Sequence, residues 1–137
     1  MNKNDIRNYS PLSLAYLGDA VIELLVRNYL LENNLCTPNS LHKKALNFVS
    51  ATAQSQAFAL IEPHLTEEEK NVYRHGRNAK NSAIAKHANA TDYRRATGME
   101  ALFGYLHLLG DFQRIQYLFK IAYFPSDIQK AYELKNS

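Results

Sequence analysis

Capped helical segments follow one another along this chain with almost nothing between them that reads as a strand, and this limits the possible folds more than any other feature. Ser10-Pro11 supplies an N-cap and a first-turn proline. From Leu12 to about Leu31, the apolar residues Leu14, Leu17, Val21, Ile22, Leu24 and Leu25 predict a long, mostly buried helix. Asn33 and Asn34 close it, Thr37-Pro38-Asn39-Ser40 leads into a short helix from Leu41, and Ser50 marks a break or new cap before Ala53, Ala57, Leu60 and Ile61. Thr66 and Glu69 form a capping box, and the acidic turn Glu67-Glu68-Glu69 suits the positive end of a helix running into Gly76. Thr91 is the expected cap of a helix carrying Tyr93, Ala96, Met99, Ala101, Leu102, Phe103 and Leu106 and stopping at Gly110. Asp111 caps the next, with Phe112, Ile115, Leu118, Phe119 and Ala122 apolar, and Pro125-Ser126 opens a short last helix. The stretch from Arg77 to Asn89 is polar, basic and rich in Ala and Asn, which predicts a long loop of the functional or mobile kind. The expectation is an all-α fold.

A chain of 137 residues is long enough for one core and short for two, so residues 1–137 read as one domain. With 46% hydrophobic and 21% charged residues the composition is globular, and no segment approaches the length of a membrane span. The opening Met1-Asn2-Lys3-Asn4-Asp5 is polar and unlike a signal or transit peptide. Cys36, the one cysteine, has no partner for an internal disulfide and no zinc-like spacing around it. These features predict a cytoplasmic protein with no membrane partner. The formal charge of +3 permits a polyanionic partner, and the basic residues gather in His42-Lys43-Lys44, in Arg74 to Lys80 and in Arg94-Arg95.

Two carboxylates stand where apolar helix interiors are expected: Asp19 in Ala15-Tyr16-Leu17-Gly18-Asp19-Ala20-Val21, and Glu100 in Thr97-Gly98-Met99-Glu100-Ala101-Leu102. A desolvated carboxylate needs a counter-ion, a donor or a metal, or it takes up a proton. Asp19, Glu23 and Arg27 recur at i, i+4 and i+8, which suits a salt-bridge ladder, yet Gly18-Asp19 is a poor pair for the middle of a helix. Ala96, Gly98, Ala101 and Gly104 around Glu100, and Ala15, Gly18 and Ala20 around Asp19, would let two helices approach closely and bring the carboxylates together. Two outcomes then stand open. The pair holds Mg²⁺ with water positions left free, or one acid is buried against Arg94 or Arg95; spacing by itself favours the arginine.

The segment Leu14 to Glu23 resembles the signature of the ribonuclease III catalytic domain, with its Gly-Asp-Ala-Val core. Glu100-Ala101-Leu102-Phe103-Gly104-Tyr105-Leu106 is similar to that family's second acidic motif, Glu-Ala-Leu-x-Gly-x-Leu. Leu41-His42-Lys43-Lys44, Val49-Ser50-Ala51 and Gly76-Arg77-Asn78-Ala79-Lys80 resemble the Mini-III branch, a catalytic domain without a double-stranded RNA-binding domain. The resemblance implies a ribonuclease III-type helical endonuclease domain, with Asp19 and Glu100 catalytic and holding Mg²⁺. It also implies a homodimer cleaving double-stranded RNA, with stems of precursor ribosomal RNA as substrate.

Larger ribonuclease III enzymes carry further acids at the positions of Ala15 and Thr97, as Mini-III enzymes do not, so Asp19 and Glu100 stand as the direct ligands, with Thr97, Glu23 and Arg94 as possible supports. Arg74, Arg77, Lys80 and Lys86 are the candidate phosphate contacts, and Asn78 the candidate for a 2′-hydroxyl or base edge. A solvated loop is the alternative there. His42, His64, His75, His87 and His107 read as surface or helix-end residues. Two other functions compete: a non-catalytic RNA-binding module of the same fold, and a small-molecule metal phosphohydrolase, which the absence of a His-Asp doublet disfavours.

Overall fold

The computed structural model describes residues 1–33, 37–80 and 89–124. Among these the chain is helical, with α1 Lys3–Ile6, α2 Pro11–Glu32, α3 Pro38–Val49, α4 Ala51–Ile61, a 3₁₀ turn Glu62–His64, α5 Glu67–Asn78, α6 Ala90–Leu109 and α7 Phe112–Tyr123, and no strand. The caps follow from local chemistry. Side chains of Ser10, Thr37, Ser50, Thr66 and Asp111 each accept a hydrogen bond from the backbone N–H three residues on, and Glu69 returns the bond to Thr66. Gly110, at φ 77°, takes the left-handed conformation that ends α6.

Helix α6 is the centre of the molecule. Every residue from Ala96 to Leu106 is buried except Glu100, because α2, α4 and α5 all pack against this one helix. A helix covered on so many sides has no polar stripe, which is why its sequence shows small and apolar residues all round. Its glycines are explained by contact. A Cβ on Gly18 of α2 would lie 1.6 Å from the Glu100 carbonyl oxygen, and one on Gly104 would lie 2.0 Å from that of Leu14. The α2 and α6 backbones therefore touch.

Several expectations need correction. Helix α6 begins at Ala90 with Asn89 as its cap, accepting from Asp92 N–H, so Thr91 is already inside the helix. Helix α5 does not stop at Gly76 but continues through Asn78, because Gly76 is used for packing: a Cβ there would lie 2.7 Å from Ala101 Cβ. Helix α2 is not mostly buried. Leu14, Ala15, Gly18, Ile22, Val26 and Leu30 face the core, while Tyr16, Leu24 and Leu31 are exposed at 86%, 61% and 65%. Leu60 and Phe112, read as apolar core positions, are also exposed. Asn34, Cys36, His87 and the short helix expected from Pro125-Ser126 lie outside the described residues. No described helix is long and apolar enough to cross a membrane.

Candidate active site at the crossing of α2 and α6

The glycine contact that joins α2 to α6 also brings Asp19 and Glu100 together. Gly18 seats on the Glu100 carbonyl, so the neighbouring Asp19 side chain reaches that of Glu100 within hydrogen-bonding distance. Both expected carboxylates thus converge, though not in equal surroundings. Glu100 is half-buried in the wall of α6, whereas Asp19 is exposed, contrary to its apolar sequence setting.

The electrostatics follow from that placement. Burial, then the charge of Asp19 and the hydrogen bond with it, push the Glu100 carboxyl up to about 8. Burial and the charge of Glu23 also raise Asp19, while the hydrogen bond from Glu100 partly offsets them. Both shifts run the same way, so the pair resists carrying two charges and holds a proton well above the ordinary carboxylate range, Glu100 being the more strongly raised. A cation placed between the two would displace that proton.

The arginine alternative is overturned. Arg94 and Arg95 are exposed, and among the described residues neither forms an ion pair with Asp19 or Glu100. Their positions on α6 turn them outward, while Glu100 turns to α2. Glu23 pairs instead with Arg27 at 3.4 Å, as the helical spacing predicts. Thr97 is buried and its hydroxyl donates to the Tyr93 carbonyl at 2.9 Å, so its proton is committed to its own helix. No group of three or more Asp, Glu, His or Cys side chains suited to a metal occurs among the described residues. Asp19 and Glu100 are the two carboxylates here that could hold a metal, and one or two carboxylates, with water filling the remaining positions, suffice for a hard divalent cation.

One neighbour escaped the sequence reading. Tyr123 of α7 is partly buried, its hydroxyl donates to the Phe48 carbonyl at 2.9 Å, and burial followed by the charge of Glu100 pushes its phenol up. It joins α7 to the end of α3 beside the acidic site. Its only sequence signal was a place one turn after Phe119.

The basic residues lie on a different part of the molecule. Arg74, Arg77 and Asn78 belong to α5 rather than to a loop, Lys80 follows the helix and is exposed, and Lys86 lies outside the described residues. Arg74 lies 3.9 Å from Glu67, and the Arg77 Nε donates to Asn78 Oδ1 at 3.1 Å. Helix α5 is fastened to α6 at the level of the acidic site. A Cβ on Gly98 would meet the Tyr73 ring at 2.6 Å, and Gly76 seats on Gly98 and Ala101. The basic and acidic features are thus held by adjacent faces of one buried helix.

Comparison with known proteins agrees with this geometry. The family described as Ribonuclease III domain matches residues 12–111, which takes in both carboxylates and the basic end of α5. Mini-ribonuclease 3 of Clostridium tetani is 45% identical over 121 residues, covering 88% of this chain and 80% of that protein. Mini-ribonuclease 3 of Brevibacillus brevis is 47% identical, covering 83% and 85%. An X-ray crystal structure of a protein from Fusobacterium nucleatum superposes with a TM-score of 0.75 at 35% identity, covering 85% of this chain and 93% of that one.

Proposed function

Because the chain belongs to the Mini-III branch of the ribonuclease III family, we propose that it is an endoribonuclease cutting double-stranded RNA at Asp19 and Glu100 with the help of Mg²⁺. The observation that carries the site is the convergence of two carboxylates, with no described arginine or lysine paired to either, where two glycines bring α2 and α6 into backbone contact. Like charges held together in this way destabilise each other until a cation or a proton intervenes. Bound there, Mg²⁺ would supply Lewis-acid polarisation of a phosphodiester and a lowered pKa for a water molecule.

The remaining roles belong to the chain. Glu100 gives up its shared proton when the site is loaded, and Asp19, on the exposed side, faces the approaching backbone of the duplex. Glu23, tied to Arg27, keeps a negative field behind Asp19. The cations of α5 hold phosphates away from the cut. We further read residues 1–137 as one catalytic domain and the working form as a cytoplasmic homodimer, since two cuts on opposite strands call for two sites related by a two-fold axis. Exposed Tyr16, Leu24 and Leu31 on α2 offer apolar surface for such a contact. Stems of precursor ribosomal RNA are the proposed substrate.

The test is cleavage of a long RNA duplex by the purified protein. Cutting should require Mg²⁺, cease with chelator, and be lost in Asp19→Asn and in Glu100→Gln while both variants still bind the duplex. Full cleavage by either variant would remove the site; binding without any cleavage by the unaltered protein would favour the non-catalytic module.

A further inference from the structure

A second feature lies where α5 meets the end of α4 and the 3₁₀ turn. Lys70, Arg74 and Arg77 line a cleft of about 410 Å³ whose remaining wall includes Phe58, Pro63 and Tyr73. Their spacing of four and three residues puts the three cations on one helix face. Arg77 is held in place: its guanidinium lies 5.6 Å from the Tyr73 ring centroid, and Tyr73 in turn stacks on Phe58 with centroids 3.6 Å apart and rings within 10° of parallel. Lys70 and Arg74 lean on the exposed Glu67 at 3.4 and 3.9 Å. Such long contacts in water contribute little and are readily exchanged for a stronger anion. Glu62 also lines the cleft, so three cations stand against two acids, Glu62 in the wall and Glu67 at its edge, and one positive charge is left over. An anion with several oxygens answers that arrangement, and a phosphodiester has the required charge and size.

The cleft is rigidly related to the acidic site. The Tyr73 ring that carries Arg77 abuts Gly98, two residues before Glu100, and Gly76 seats on Gly98 and on Ala101, one residue after it. No linker intervenes that would let the distance vary.

We propose that this cleft takes a backbone phosphate of the same RNA duplex, remote from the scissile one, and that its fixed distance from the carboxylate pair sets where along the duplex the cut falls. The inference rests on the endoribonuclease reading above. Lys70 and Arg74 contact the phosphate, and Arg77 is aimed by its aromatic support.

The experiment uses a long blunt-ended RNA duplex, with the Asp19→Asn protein for binding and the otherwise unaltered protein for cleavage. Adding Lys70→Ala with Arg74→Ala should reduce the slope of log affinity against log salt concentration by about 0.9, since one phosphate neutralisation is lost. In the cleaving protein the same pair should raise KM severalfold and spread the cut positions on an end-labelled duplex. Lys70→Gln with Arg74→Gln should behave alike, and the thermal midpoint of both pairs should stay unchanged, which separates loss of contact from loss of fold. An unchanged salt slope overturns the cleft as a phosphate site, and a reduced slope with an unaltered cut pattern overturns its role in setting register. Failure of the underlying reading is seen separately, as the absence of any cleavage by the unaltered protein.

Discussion

Glu69 and Glu100 sit on neighbouring helices, each drawn partly out of water, and they end in opposite electrostatic states. Glu69 is 5% exposed, and burial alone would push it up. Arg114 of α7 answers with two charge-assisted bonds at 2.8 and 2.9 Å, the Thr66 N–H adds a third at 2.9 Å, and the carboxyl is held below its usual range. Arg114 also donates to the His64 carbonyl at 2.7 Å, so this one ion pair joins α5, the 3₁₀ turn and α7. Glu100 is pushed up by burial in the same way, but its neighbour is another acid, whose charge and hydrogen bond add to the rise instead of offsetting it. Burial does not by itself distinguish a structural carboxylate from a reactive one; the sign of the nearest partner does.

The contrast can be broken most decisively at the acidic crossing. Glu100→Gln and Asp19→Asn should each lower cleavage about 10⁴-fold, equivalent to about 5 kcal/mol of transition-state stabilisation, with a thermal midpoint equal to or above that of the unaltered protein. A drop in midpoint would mean that Glu100 is a structural acid after all. Next in size, Arg114→Ala should cost about 3–5 kcal/mol in urea denaturation, because it strands the buried Glu69 without its counter-ion. If the loss is within a few tenths of a kcal/mol, the two carboxylates are not opposites.

Gly18→Ala tests what brings the acidic pair together. Its Cβ would require the α2 and α6 backbones to separate, at a cost of about 1–3 kcal/mol, and cleavage should fall with it as the carboxylates part. Retained cleavage would show that their convergence does not depend on that contact. The smallest effect concerns pH without metal. Folding raises Glu100 from 4.5 to about 8, so between those values the folded state binds a proton that the unfolded chain does not. Stability should therefore decline as pH rises across that window and level off above about 8, and Glu100→Gln should flatten that decline in a series of thermal melts.

Much of the helical framework was legible because its signals are local. Ser10, Thr37, Ser50, Thr66 and Asp111 cap helices from within three residues, and apolar spacing marks where each helix runs. The misread ends share a cause. Gly76 looks like a stop in one dimension, but it is a contact surface for Ala101 and Gly98, so α5 passes through it. Arg94 and Arg95 sit close to Glu100 in sequence and offered the simplest ion pair, whereas the helical rotation that aims Glu100 at α2 leaves both exposed. The place of Tyr123 beside the acidic site and the cleft around Lys70 were not legible, since each depends on elements far apart in the chain meeting at one place.

By itself the sequence determined that this chain would be helical, where most helices begin, and which two acids stand out, since capping, periodicity and the oddity of Gly-Asp in mid-helix are all matters of near neighbours. Only the tertiary structure decided that Asp19 and Glu100 face each other while Glu69 faces Arg114. The sign of a carboxylate's partner is set by which helices cross and at what rotation, and here glycines touching backbone across α2, α6 and α5 set both.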